Sequence, residues 1–435
     1  MLRIAGFGFA LALIAFVALT SPGPTAVVAQ EGAGPSFVPQ VNTSAASPTP
    51  VQTALPNPIS RPDDAHGITQ TTAPYAQPSA FSPPPVPPAL WLSNDASFSV
   101  PCEMHGDRVF VSVVVDGRPE QFLLDSAAPF SLIDPSSAPS RDAPVKLHTL
   151  QLGELRFNSV NAGVSRVVAP SEAYLGKPAD GVLGQELFAR YPVKIDFQAC
   201  ALTIFRDAQS VPASPAPNDR TFSIRIVNGQ PQIGVGFASG VTPQLVLDTG
   251  SDADADITQT FLNESHLAFI SAITELRRWV PGGLLNGDTA RTTAFVLGAM
   301  SFDRPLIGII DSTSRTPAGY LGNGFLRNFT VLLNEPALQL TLTPVAGLRR
   351  SSYDRSGAWL IWRNGAVTVK SVVPESPASK LLSPGDRIIA LNGQVAFDLD
   401  GARTILAGPA GSTVALTYEH GGRQREGSLV LKSLL

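Results

Sequence analysis

The chain has 435 residues and a formal net charge of −4, with 31 Lys plus Arg against 35 Asp plus Glu. That balance lacks the basic excess of a nucleic-acid binder. Hydrophobic residues make up 44%, enough for sizeable cores, and the length suggests about two to four domains. Charged residues are only 15%, against 37 Gly and 39 Pro, which points to all-β structure with an unfolded linker.

In chain order, Arg3 precedes an apolar run from Ile4 to Leu19, and Val27-Val28-Ala29 supplies small residues before Gln30. This reads as a signal peptide over 1–29 and predicts an exported protein, periplasmic or secreted. The apolar run is short for a bilayer span of about 20 residues, so no stable membrane span is expected after cleavage. An uncleaved N-terminal anchor is the alternative. Residues 30–97 are rich in Pro, Ser and Ala, with a polyproline run at Ser82–Pro88. Such a segment buries too little apolar surface to offset its ordering entropy and is expected to be a disordered linker.

Further Pro-rich breaks leave three folded blocks, 98–207, 218–345 and 350–435. Period-2 apolar runs with Asp116-Gly117 and Asn228-Gly229 turns predict hairpins. The first two blocks share three landmarks in the same order. Phe122-Leu123-Leu124-Asp125-Ser126-Ala127 matches Leu245-Val246-Leu247-Asp248-Thr249-Gly250. Leu152-Gly153-Glu154-Leu155 matches Leu297-Gly298-Ala299-Met300. Gly181-Val182-Leu183-Gly184 matches Gly319-Tyr320-Leu321-Gly322. The first two landmarks run from 125 to 152 in one copy and from 248 to 297 in the other, so the second copy carries an insertion. Thr260 to Trp279 within it has helical apolar spacing.

An apolar strand ending in Asp, then a small hydroxyl residue, suits a carboxylate pair when two such loops meet. Two carboxylates side by side share one proton, so one acts as base on water and the other as acid. Ser126 and Thr249 can tie the loops together. A small third residue, Gly250 or Ala127, admits close backbone approach. These residues resemble the signature of the retropepsin and pepsin-like aspartic peptidases, hydrophobic-hydrophobic-Asp-Thr/Ser-Gly followed by a hydrophobic-hydrophobic-Gly segment. The resemblance covers 98–345. It implies two tandem retropepsin-like closed β-barrels forming a pseudo-dimer, with Asp125 and Asp248 as the catalytic dyad. Ser126, Thr249, Gly250, Gly184 and Gly322 support the dyad, and polypeptides are the substrates. Ala127 departs from the family's Gly. Members of this family cover the cleft with a flap; Gly282-Gly283 and Asn286-Gly287 suit it in the second copy, and Pro135–Pro144 is the short counterpart in the first.

Cys102 and Cys200 sit at edges of the first block that can be neighbours; a disulfide and two separate buried thiols are both open. No Cys–His metal spacing occurs, and no cofactor is expected. Asp252, Asp254 and Asp256 lack the pattern of a calcium hand loop and are expected in a solvated loop. His105, His148 and His266 read as ordinary histidines, and Asp134 and Asp196 as turn or edge residues.

The last block contains Ser376-Pro377-Ala378, Pro384-Gly385-Asp386 and Asn392-Gly393 in order. This order resembles PDZ domains of bacterial envelope proteases, a small β/α fold. The resemblance implies capture of extended peptide or a protein C-terminus by strand addition, with Gly357, Ala358 and Trp359 near the carboxylate-binding loop. Together these features predict an exported aspartic endopeptidase with a PDZ-like domain. The alternative is a catalytically degenerate pseudopeptidase that binds envelope polypeptides in a chaperone-like role. A peptidase active only as a homodimer is a further reading.

Overall fold

A computed structural model describes residues 87–136, 144–213, 217–271, 274–280, 283–311, 317–347, 353–395 and 398–435. The expected signal peptide, most of the linker, the Gly282 turn and residues 137–143 of the Pro135–Pro144 loop lie outside them. The end of the linker needs correction. Ala89–Trp91 is a strand paired with Leu155–Phe157, and Trp91 packs edge-on against Phe98 at 5.0 Å. Trp91 gives this strand an aromatic anchor.

The chain is mostly β. The described strands form sheets of 13, 8, 3 and 6 members. Local turn chemistry sets much of the register. Asp116 and Gly117 have φ of 47° and 83°, and Asn228 and Gly229 have 53° and 74°, the conformation of two-residue hairpin turns. Gly153 and Gly298 open equivalent turns in the second landmark of each copy, at φ of 52° and 58°.

Each Asp-bearing strand runs parallel to the strand of its own third landmark. Arg118–Leu124 pairs with Gly181–Leu183, and Gln244–Asp248 with Gly319–Gly322. That pairing carries each aspartate to a strand end directly above a buried glycine. The copies are joined through the sheet as well: Val193–Asp196 pairs with Phe329–Asn334. One hydrophobic core runs beneath both, including Phe122, Leu124, Leu183, Leu247, Leu321 and Phe325.

Among the described residues there are five α-helices: α1 (Val168–Leu175), α2 (Gln185–Phe188), α3 (Gln259–Ser265), α4 (Asn323–Leu326) and α5 (Leu399–Leu406). α2 and α4 follow the third landmark in each copy. The helix expected over Thr260–Trp279 is shorter than its periodicity suggested. Thr258 caps α3 through Phe261 N–H, and His266 ends it at φ 52°. Thr274–Val280 is instead a strand paired with Gly283–Arg291, which pairs with Leu306–Ile310. Cross-strand hydrogen bonds outweigh helix periodicity there.

Cys102 and Cys200 form a disulfide, with Cα atoms 5.0 Å apart and a sequence separation of 98. A loop of that length constrains the unfolded chain by about 4–5 kcal/mol in the chain-entropy description. Reduction should therefore lower the urea midpoint strongly without altering the native far-UV spectrum. An unchanged midpoint with and without dithiothreitol would refute that contribution.

The C-terminal block has its own core, built from Leu360, Val367, Val369, Ile388, Leu399, Leu406, Val414 and Leu429. Ala358–Arg363 is one edge of its sheet. Among the described residues, no helix is long and apolar enough to cross a membrane.

Candidate functional site

Asp125 follows its strand and its N–H donates to Leu183 O at 3.0 Å; Asp248 ends its own strand opposite Gly322. Both carboxyls are buried and within hydrogen-bonding reach of one another. Asp125 Oδ1 accepts from the N–H groups of Ala127 and Ala128 at 2.8 and 3.0 Å. Asp248 Oδ1 accepts from Gly250 N–H at 2.9 Å. Asp125 Oδ2 is buried and receives no hydrogen bond from any described donor. It is the oxygen left for a shared proton or a reactant.

The two loops are tied by reciprocal bonds. Ser126 N–H donates to Thr249 Oγ1 at 2.9 Å, and Thr249 N–H donates to Ser126 Oγ at 3.1 Å. Each hydroxyl then donates across, Ser126 to Leu247 O at 2.7 Å and Thr249 to Leu124 O at 3.1 Å. The expected Asp125, Asp248, Ser126, Thr249, Gly250, Gly184 and Gly322 are thus gathered in one place. Gly184 and Gly322 serve close approach: a Cβ would lie 2.7 Å from Ala128 O in one and 2.6 Å from Ala253 O in the other.

Ala127 is buried and has no left-handed φ, so its methyl adds no backbone strain. It packs with Val246, Ile310 and Tyr320.

Several residues of the site were not foreseen. Arg108, 1% exposed, donates through Nε to Gly250 O at 2.7 Å and pairs with Asp252 through both terminal nitrogens, at 3.2 and 3.3 Å. Gln185 donates to Ser126 O at 2.6 Å and to Glu335 Oε1 at 3.1 Å, while Asn323 donates to Thr249 O at 2.7 Å. Both amides stand immediately after the buried glycine of the third landmark, the one sequence signal that could have found them. The solvated loop expected for Asp252, Asp254 and Asp256 is corrected. Asp254 and Asp256 are buried; Asp254 accepts from Leu306 N–H at 2.8 Å, and Asp256 lies in a strand. Asp134 binds the N–H groups of Val167 and Val168 at 2.8 and 2.9 Å, at the start of α1.

Burial lifts the Asp125 carboxyl to about 6, against the pull of the Ala127 and Ala128 amides and the Arg108 charge. Burial, followed by the charges of Asp125 and Asp256, pushes Asp248 well above the ordinary carboxylate range. Both shifts favour a proton held on the pair over full ionisation of both carboxyls. Burial also raises Glu335 to about 8, so it sits protonated beside Gln185.

Gly357, Ala358 and Trp359 are not part of this cluster. They open the edge strand of the C-terminal block, with Gly357 at φ 77°. Trp359 stacks on Tyr174 of α1 at 5.4 Å.

Residues 368–419 match the family described as PDZ domain, so the chain contains a PDZ domain. Among solved structures, the PDZ domain of a carboxy-terminal protease from Vibrio cholerae, in complex with peptide, is 29% identical. The match covers 19% of this chain and 96% of that one, with a TM-score of 0.17. An aspartic proteinase from Irpex lacteus is 12% identical over 58% of this chain and 98% of its own, with a TM-score of 0.35. No curated protein matches the chain.

Proposed function

We propose that this chain is an exported aspartic endopeptidase in which two retropepsin-like halves, 98–207 and 218–345, each give one catalytic aspartate. A PDZ domain in 350–435 binds extended polypeptide. The observation that carries the reading is the pair of buried carboxyls, Asp125 and Asp248, at the meeting point of two reciprocally bonded loops. In this mechanism the ionised member of the dyad takes a proton from water while the protonated member donates to the scissile carbonyl. No covalent intermediate forms. Because both loops belong to one chain, a homodimer is unnecessary. The disulfide supports export, since such bonds persist in oxidising compartments.

The test is casein cleavage by the purified chain, with and without pepstatin. Cleavage that pepstatin abolishes supports the reading. Casein left intact while the chain still binds it, at every pH tried, would support the degenerate, chaperone-like alternative instead.

Arg108 gives a sharper check. Its positive charge favours the ionised dyad. Arg108→Ala should therefore move the acid limb of the pH–rate profile to higher pH. It also leaves Gly250 O without its donor and should cost about 1.5–3 kcal/mol in urea unfolding. An unmoved acid limb in a folded variant contradicts this role.

A further inference from the structure

The sheet edge of the PDZ domain is occupied by its own chain at three points. The first is the loop ahead of the edge strand. The N–H groups of Ser356 and Gly357, which would be placed to hold a terminal carboxylate, donate to Asp354 Oδ1 at 2.9 and 2.6 Å, and Ser356 Oγ adds a third bond at 2.8 Å.

The second is the open side of strand Ala358–Arg363. Leu360 pairs with Val369, whose own N–H and C=O are bonded to Asp386 and Gly385 on its other side. Leu360 therefore directs its polar backbone groups outward, where an added strand would pair. Its carbonyl already accepts from Arg403 Nη2 of α5 at 2.9 Å, across the groove between helix and strand.

The third is the contact with the rest of the protein. α1 packs on the same strand, and its Tyr174 lies flat on Trp359, with an 8° interplanar angle. The start of α5 is also tethered, since Gly106 N–H donates to Asp400 Oδ2 at 3.0 Å. A cavity of about 460 Å³ lies at this junction. It is bounded by Trp359, Leu360 and Arg403 on one side and by Arg108 and Asp252 on the other.

We propose that the PDZ groove is self-closed and takes an internal, extended polypeptide segment rather than a chain terminus. Entry displaces Arg403 from Leu360 and detaches Trp359 from α1. Asp354 stays in place, so a ligand's terminal carboxylate adds nothing. This deepens the peptide-binding part of the reading above and rests on it, but it does not require catalysis.

The test uses the full chain carrying Asp248→Asn, so that the probe is not cut. Two fluorescein-labelled decapeptides with three apolar C-terminal residues are compared by anisotropy, one with a free carboxylate and one with a carboxamide. They should bind within about twofold of each other. Tyr174→Ala and Arg403→Gln, each added to that chain, should tighten binding of both about tenfold. Bound peptide should slow amide exchange in 358–363 and speed it in 168–175. Tenfold preference for the carboxylate, equal affinity in all chains, or no binding in any overturns the proposal. So does protection of 358–363 with 168–175 unchanged. Casein cleavage by the chain with Asp248 intact, measured separately, shows whether the peptidase reading fails on its own.

Discussion

Asp248→Asn should leave a folded chain that cleaves casein about 10²–10⁴-fold more slowly, the range expected when one acid–base group is removed. The substitution keeps volume and one hydrogen-bonding oxygen for Gly250 N–H, but the side chain can no longer share a titrating proton. The same pair predicts the pH behaviour of the unaltered chain. Burial raises Asp125 to about 6, so full protonation of the dyad as pH falls below that value should lower activity on the acid side. Stability follows from the same shift. An acid whose folded pKa lies above its ordinary value of 3.8 binds its proton more tightly in the native state. The stability it contributes is present below that value and is lost as pH rises through about 6. Asp248 is raised too, so the wild type should lose stability between about pH 4 and pH 6, and Asp248→Asn should lose less. Casein assays and urea melts at both pH values check this. Full activity in the variant, or identical pH dependence of stability, would contradict a shared-proton dyad.

Gly250→Ala is expected to slow cleavage on the order of 10²-fold, whereas Ala127→Gly should change it little. The two positions are equivalent in the repeat but not in their surroundings. A Cβ on Gly250 would lie 2.5 Å from Asp125 Cγ and 2.6 Å from Oδ2, inside any tolerable contact. Either the carboxyl or the loop must move, and a misplacement of about 1 Å at a reacting group can cost on the order of 10²-fold. The Ala127 methyl, by contrast, fills space among Val246, Ile310 and Tyr320. Removing it leaves a small void, with a stability cost of about 1 kcal/mol and no collision with the dyad. The measurement is kcat/KM on casein-derived peptides for both variants. Comparable activity in Gly250→Ala and wild type would contradict the close approach. A large gain from Ala127→Gly would show that the methyl does crowd the site.

The aspartate loops were legible in the sequence because they repeat. An apolar strand, an acid, a hydroxyl residue and a later buried glycine recur in order, and each piece has a local physical reason. Two-residue turns such as Asp116-Gly117 were legible for the same reason, since few residue pairs accept positive φ at both positions. Arg108 was not legible. It lies in an ordinary apolar strand, and its partners Gly250 and Asp252 come from the other copy. Gln185 and Asn323 were hidden because an amide after a glycine has no local signature until its carbonyl partner is known. The helix expected through Trp279 failed because apolar spacing is shared by a helix face and by a strand whose partner lies further along the chain.

Local sequence alone determined the β-rich character, the repeated acid loops and the order of motifs in the PDZ domain, all of which depend on neighbouring residues and backbone preference. Tertiary structure decided which groups meet: the Cys102–Cys200 pairing, the Arg108 bridge, the tolerance for Ala127 and the closing of the PDZ edge by Arg403 and Tyr174. Those contacts join residues distant along the chain, and burial sets their energies through desolvation, which no local pattern encodes.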